Sequence, residues 1–171
     1  MKNKTNNKTL VVYFSYTIGN TKAIAIRIAN ALHADLEELQ PVKPYSRDYD
    51  TVVEQGEREV QQGFLPPLKP LKVNVADYDR IIVGSPTWWY EPAPVVMSFL
   101  RQTNLKGKTV VPFMTNAGWP GNVIRSMTQA AQSSGASVVN SHEFRFSAAS
   151  GKRDEMKTSQ RELDLWIDSL K

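Results

Sequence analysis

Apolar residues run along this chain in two alternating rhythms. Residues 9–14 (Thr-Leu-Val-Val-Tyr-Phe) and 80–84 (Arg-Ile-Ile-Val-Gly) are short, β-branched runs that stop at turn-forming residues, the pattern of strands buried on both faces. Residues 109–114 repeat the pattern, except that Pro112 removes one ladder donor. Residues 35–39 and 136–140 are weaker strand candidates. Between these runs the period changes to that of a helix. Ile24, Ile28, Ala31 and Leu32 form one stripe behind a cap at Asn20 or Thr21, and Val95, Val96, Phe99 and Leu100 a second. Val123, Ile124, Met127, Ala130 and Ala131 form a third, and Leu163, Trp166, Ile167 and Leu170 a fourth. These stripes are core positions.

Strand–helix alternation predicts the α/β class, with a parallel sheet covered by helices on both faces. The stretch 41–72 breaks the rhythm with Pro41, Pro44, Pro66, Pro67 and Pro70. They flank a polar segment, 48–62, that reads as a helix. Its apolar content (Val52, Val53, Val60) is thin, which predicts light packing at the surface. No repeat and no second core interrupts the pattern, so residues 9–171 are expected to form one domain behind a polar, basic tail of residues 1–8.

Composition narrows the picture. A chain of 171 residues suits a single core that buries roughly 70% of the surface its unfolded form exposes. The absence of cysteine excludes disulfides, iron–sulfur clusters and thiolate chemistry. Of the net charge of +4, Lys2, Lys4 and Lys8 carry three units in the tail, leaving about one on the remainder. No Lys/Arg cluster interleaves with aromatics, so no nucleic-acid face is expected. No segment approaches the ~20 apolar residues of a membrane span, and the polar start does not resemble a secretion signal, which predicts a cytoplasmic protein without a membrane partner.

The informative chemistry follows the strands, where open α/β sheets bind their ligands. After the first comes Ser15-Tyr16-Thr17-Ile18-Gly19-Asn20-Thr21, leading into a helix. Its hydroxyls, its glycine and the helix N–H groups can wrap a phosphate held without transfer, although an ordinary capped turn would read the same way. Neither G-x-x-x-x-G-K-S/T nor G-x-G-x-x-G occurs, and no carboxylate lies between residues 9 and 21 for a phospho-acceptor. Gly84-Ser85-Pro86 lacks the second half of a nucleophile elbow. The two histidines, His33 and His142, sit at element ends where exposed or structural roles are expected. No metal-ligand cluster is evident and no catalytic side chain is assigned. The second loop, Gly84 to Pro92, holds Pro86, Thr87, Trp88, Trp89 and Tyr90; three consecutive aromatics past a buried strand cannot all enter the core. The third holds Asn116, Ala117, Gly118, Trp119 and Gly121. Trp166 and one of Trp88 and Trp89 are expected in packing. The remaining two tryptophans would line a flat slot beside the hydroxyl-rich turn, which points to a planar, phosphorylated ligand.

At these residues the chain resembles the flavodoxin superfamily. Ser15, Thr17, Gly19, Asn20 and Thr21 look like its Ser/Thr-x-Ser/Thr-Gly-Asn-Thr phosphate turn. Gly84, Pro86, Thr87 and Trp88 look like its Gly-x-Pro-Thr-Trp segment. Residues 13–15, 44–49 and 85–90 look closest to a bacterial flavodoxin-like branch. The resemblance implies a flavodoxin-like three-layer α/β/α sandwich with a five-stranded parallel sheet of order 2-1-3-4-5. It also implies non-covalently bound flavin mononucleotide (FMN), its phosphate on Ser15, Thr17, Asn20 and Thr21, and its ring beside Trp88 or Trp89 and Trp119. Two departures stand out. Ile18 lengthens the phosphate turn by one residue, and the third loop carries Ala117-Gly118-Trp119-Pro120 where dedicated carriers commonly have an acidic residue.

Three functions compete. A small electron carrier would take electrons from redox partner proteins and tune its potential through stacking and backbone hydrogen bonds. An NAD(P)H-dependent quinone or nitro-compound reductase would use the bulky aromatic loops as a substrate pocket. A non-redox module would have kept the fold and lost FMN, with Ile18 as the cause. The carrier is the leading expectation, as a monomer or weak homodimer.

Overall fold

The computed structural model describes residues 8–171. Residues 1–7 of the expected tail lie outside the described residues, and Lys8 already belongs to the fold. Its carbonyl accepts hydrogen bonds from the N–H groups of Asp79 and Arg80, at 2.9 and 3.2 Å.

Strand β1 (Thr9–Tyr13) lies between β2 (Asp35–Glu38) and β3 (Arg80–Trp88), parallel to both. Strand β3 pairs on its other side with β5 (Thr109–Asn116), after a short antiparallel excursion through β4 (Glu91–Pro92). The fifth sheet position is shared by two short strands. β6 (Ser137–Val138) pairs with Thr109 and Val110, and β7 (His142–Arg145) with Phe113 to Asn116. The order 2-1-3-4-5 expected by resemblance is therefore present, with its last member split. The single strand expected at 136–140 ends early because Asn140 turns the chain at a φ of 53°. That break falls beside Pro112, so the residue without a backbone donor stands where neither β6 nor β7 pairs with β5.

Alternate residues of the central strands feed opposite faces. Leu10, Val12, Ile81, Val83 and Val110 pack toward α3 (Pro94–Gln102) and α4 (Val123–Ser133). Val11, Tyr13, Ile82, Val111 and Phe113 pack toward α1 (Asn20–Leu32) and α5 (Gln160–Ser169). Each large aliphatic side chain buried here contributes about 1.5–3 kcal/mol. All four helical stripes reach this core, except that in α1 Ala31 is exposed and Leu32 half-buried, while Ala25 and Ala29 are buried beside Ile24 and Ile28. Gly84 is required where β3 passes Phe113, because a Cβ there would stand 2.1 Å from the ring.

The segment 48–62 is indeed helical, as α2 (Tyr49–Gln62), capped by the Asp48 carboxylate accepting from Thr51 N–H at 2.9 Å. It packs lightly at the surface, as its composition predicts, with one close contact that the sequence did not announce. Val52 and Glu59 are buried, and Gly56 faces Trp88 so closely that a Cβ would lie 3.1 Å from its ring. The thin apolar stripe is enough because a glycine and a large indole supply the contact. Among the described residues, no helix is long and apolar enough to cross a membrane and no cluster of metal-binding side chains occurs.

Candidate functional site

The chain leaves β1 toward β2 and leaves β3 toward β5, so the order reverses between β1 and β3. Beyond the carboxyl ends of these strands lies a cleft of about 650 Å³. Ser15, Thr17, Ile18, Gly19, Asn20, Thr21, Pro86, Thr87, Trp88, Trp89, Tyr90, Asn116, Ala117 and Trp119 all line it. Gly118 and Gly121 do not, and instead shape the third loop.

One end of the cleft is polar. Residues 16–19 form a tight turn in which Gly19 N–H donates to the Tyr16 carbonyl at 2.9 Å. Gly19 then caps α1 with a φ of 81°, a conformation that suits glycine. Gly19 itself offers no side-chain cap, and the Ser15 hydroxyl accepts from Lys22 N–H at 3.3 Å in its place. Among the described residues, the backbone N–H groups of Thr17, Ile18, Asn20 and Thr21 have no acceptor, so several donors converge where the helix dipole favours an anion. Two side chains expected to face a phosphate have other work. The buried Thr21 hydroxyl pairs with that of Thr115 at 2.8 Å, tying the turn to β5. The Asn20 amide donates to the Arg153 carbonyl at 2.9 Å.

The other end is aromatic. Pro86, Thr87 and Trp88, read from sequence as loop, continue β3 and fold back through Trp89 and Tyr90 onto β4. Trp89 and Tyr90 have φ values of 51° and 65°, the left-handed region that two-residue hairpin turns of the primed kind require. Bulky side chains rarely adopt it, and each such residue costs on the order of 1–3 kcal/mol. Surrounding contacts hold the turn. Trp89 Nε1 donates to the Val53 carbonyl at 2.9 Å, and the Tyr90 carbonyl accepts from Asn122 N–H at 2.7 Å. Trp88 turns inward, its ring edge-on to Phe14, Tyr16 and Tyr45 at centroid distances of 5.5, 5.9 and 4.9 Å. Trp89 and Trp119 remain 43% and 58% exposed. The division among tryptophans matches expectation, with Trp166 in the core and its Nε1 donating to the Asn140 carbonyl at 2.8 Å.

Between the two ends stands Asn116, 7% exposed. Its Oδ1 accepts from Gly118 N–H at 2.7 Å, while among the described residues its buried Nδ2 has no acceptor. An orphaned buried donor on a cleft wall awaits a ligand acceptor. Behind Trp88, the Tyr45 hydroxyl donates to Glu59 Oε1 at 3.1 Å. Burial raises both groups above their ordinary values, and for Tyr45 the Glu59 charge adds to the shift. Tyr16 donates its hydroxyl to the Ser46 carbonyl and is likewise raised, by burial and then by Asp48.

Sequence reasoning missed two walls. Tyr49, Val52, Val53 and Gly56 come from α2, whose spacing showed a helix but not its docking. Phe146, Ser147, Ala148 and Arg153 follow β7, a strand that was itself not anticipated. The rule that ligands sit after strands would have found this loop had β7 been recognised.

A doubly wound sheet with a cleft at its switch point, polar at one end and aromatic at the other, defines the flavodoxin-like class. The flavodoxin family profile matches residues 8–168, and the chain belongs to that family. Comparison with curated proteins found no match. Among solved structures, a Bacteroides eggerthii protein assigned as a flavoprotein is 27% identical, with 96% of this chain and 98% of that one covered and a TM-score of 0.74. A Bacteroides uniformis protein, likewise assigned, is 25% identical over 95% and 98%, with a TM-score of 0.75. A Lactobacillus acidophilus flavoprotein in complex with FMN is 25% identical over 80% and 93%, with a TM-score of 0.70.

Proposed function

We propose that this chain is an electron carrier that works through non-covalently bound FMN. The observation that carries the reading is the polarity of the cleft. Unpaired backbone N–H groups at 17, 18, 20 and 21 occupy one end, and aromatic walls with the orphaned Asn116 amide occupy the other. FMN has the matching halves: an anionic phosphate, and a flat ring whose carbonyl oxygens and ring nitrogens accept hydrogen bonds. Family membership and the FMN complex of the Lactobacillus acidophilus relative support the same cofactor. Bound there, FMN would supply one- and two-electron chemistry. The protein's part is to hold the phosphate, orient the ring and exclude water from its inner edge. Among the described residues, no imidazole, carboxylate or lysine lines the cleft, and the titratable groups there besides Arg153 are the phenols of Tyr16, Tyr49 and Tyr90, so the carrier reading asks the walls chiefly for binding and positioning.

A reductase remains the second reading, favoured by the exposed Trp89, Tyr90 and Trp119 around the mouth, which could form one side of a substrate slot. An anaerobic visible-absorption titration of the FMN-loaded protein separates the two. Dithionite should reduce a carrier in two resolved one-electron stages, while NADH and NADPH leave it oxidised. Rapid, saturable two-electron bleaching by either nicotinamide would establish the reductase instead. Failure to load FMN would remove both readings and leave a non-redox module.

A further inference from the structure

Arg153 is the one charged residue lining the cleft among the described residues. It lies on the loop after β7, whose ends are tied together: Ser147 N–H donates to the Glu155 carbonyl at 2.8 Å, and Phe146 bridges to Met156. The Asn20 amide holds the Arg153 carbonyl at 2.9 Å, so this loop is fastened to the polar turn itself. Its guanidinium lies 5.9 Å from the centre of the Tyr49 ring, a weak hold at an exposed site. Among the described residues it forms no ion pair, although four other pairs occur on the surface. The loop therefore brings an uncompensated cation into the cleft on a backbone fastened to the turn that carries the free N–H groups.

We propose that Arg153 is the phosphate-recognising cation of the cleft and sets the preference for phosphorylated over unphosphorylated flavin. This rests on the FMN reading above. A phosphate monoester carries a charge of about −1.5 to −2 at neutral pH. The turn offers it backbone dipoles but no full charge. Asn20 is engaged with the loop and Thr21 with Thr115, so the side-chain donors expected from sequence are fewer than they look. A guanidinium matches phosphate oxygens in pairs, and its five donors let it leave the Tyr49 face for the anion. Ile18, the extra residue of the turn, would then enlarge a cradle closed from outside by Arg153 rather than spoil one closed from within. The neutral ring contacts at the far end are untouched by this charge.

The test is flavin binding by the full chain freed of flavin, read by quenching of flavin fluorescence, with FMN and riboflavin titrated in parallel. Arg153→Gln should weaken FMN roughly tenfold at low salt, less as salt rises, and leave riboflavin within about twofold. Arg153→Lys should recover part of the loss, and urea unfolding should show all variants equally folded. Equal weakening of both flavins, or unchanged FMN affinity, would overturn the role of Arg153 while leaving the cofactor assignment standing. A wild-type chain that binds neither flavin would take the cofactor assignment down, and this proposal with it.

Discussion

At its polar end the free backbone donors of the cleft all come from one continuous piece of chain, residues 15–21, where a helix starts. At its aromatic end the cleft is assembled from the β3–β4 hairpin, the third loop and α2, with two aromatic residues held at positive φ. The first end is built from local rules that any strand–turn–helix unit obeys. The second exists only because distant segments press on one another. Damage should therefore spread differently: changes to the phosphate-facing groups of the polar end should be felt by the phosphate alone, and changes at the aromatic end by the fold as well.

The sharpest way to break the aromatic end is Gly121→Ala. Gly121 has a φ of 55°, and a Cβ there would stand 2.3 Å from the Tyr90 carbonyl oxygen, which is backbone and cannot swing aside. Left-handed strain and overpacking together should cost roughly 2–5 kcal/mol in urea unfolding. Unlike a change at Arg153, the substitution should weaken FMN and riboflavin alike, because it displaces the hairpin carrying Trp89 and Tyr90. A stable variant with unaltered riboflavin affinity would show that the third loop does not brace the hairpin.

The same contrast explains what could be read in advance. The turn, the four helical stripes and the three central strands announce themselves through local periodicity and turn chemistry. All polar-end residues named from sequence line the cleft, Ile18 included. What escaped was everything that depends on tertiary contact. Residues 86–88 read as loop because proline and aromatics punctuate them, yet they continue β3 as one arm of a hairpin. The docking of α2 was hidden because its partner, Trp88, is 32 residues beyond Gly56. The split of the fifth strand depends on Asn140, whose left-handed backbone is a property of the folded chain. Even at the polar end, the side-chain inventory misled, since residue type says nothing of whether a hydroxyl is already engaged.

The Thr21–Thr115 pair tests that last point. Thr21→Val keeps the shape and leaves the buried Thr115 hydroxyl without its partner, at a cost of about 1–3 kcal/mol. Adding Thr115→Val removes the orphan, so the double variant should lose less than the sum of the two singles. FMN affinity should hardly change in Thr21→Val if the phosphate is held by backbone N–H groups and Arg153. Strictly additive stabilities, or a collapse of FMN affinity, would return Thr21 to the ligand.

The smallest expected effect lies behind Trp88 and is seen through pH. Glu59 is 7% exposed, accepts one bond from Tyr45, and leaves Oε2 without a donor among the described residues. Burial therefore raises its pKa above the ordinary 4.5, against the smaller opposing pulls of Tyr45, Gln55 and Arg58. A carboxyl whose folded-state pKa is raised binds its proton more tightly when folded. Its favourable contribution is complete below the unfolded value and is lost as pH rises through the folded one. Glu59→Gln carries no charge at any pH and still offers Tyr45 an oxygen. The variant should gain stability relative to wild type between about pH 4 and neutrality, and the difference should then level off. Urea midpoints at pH 4, 5.5 and 7.5 measure it. A difference that stays constant across this range would mean that the Glu59 charge is not what the packing behind Trp88 resists.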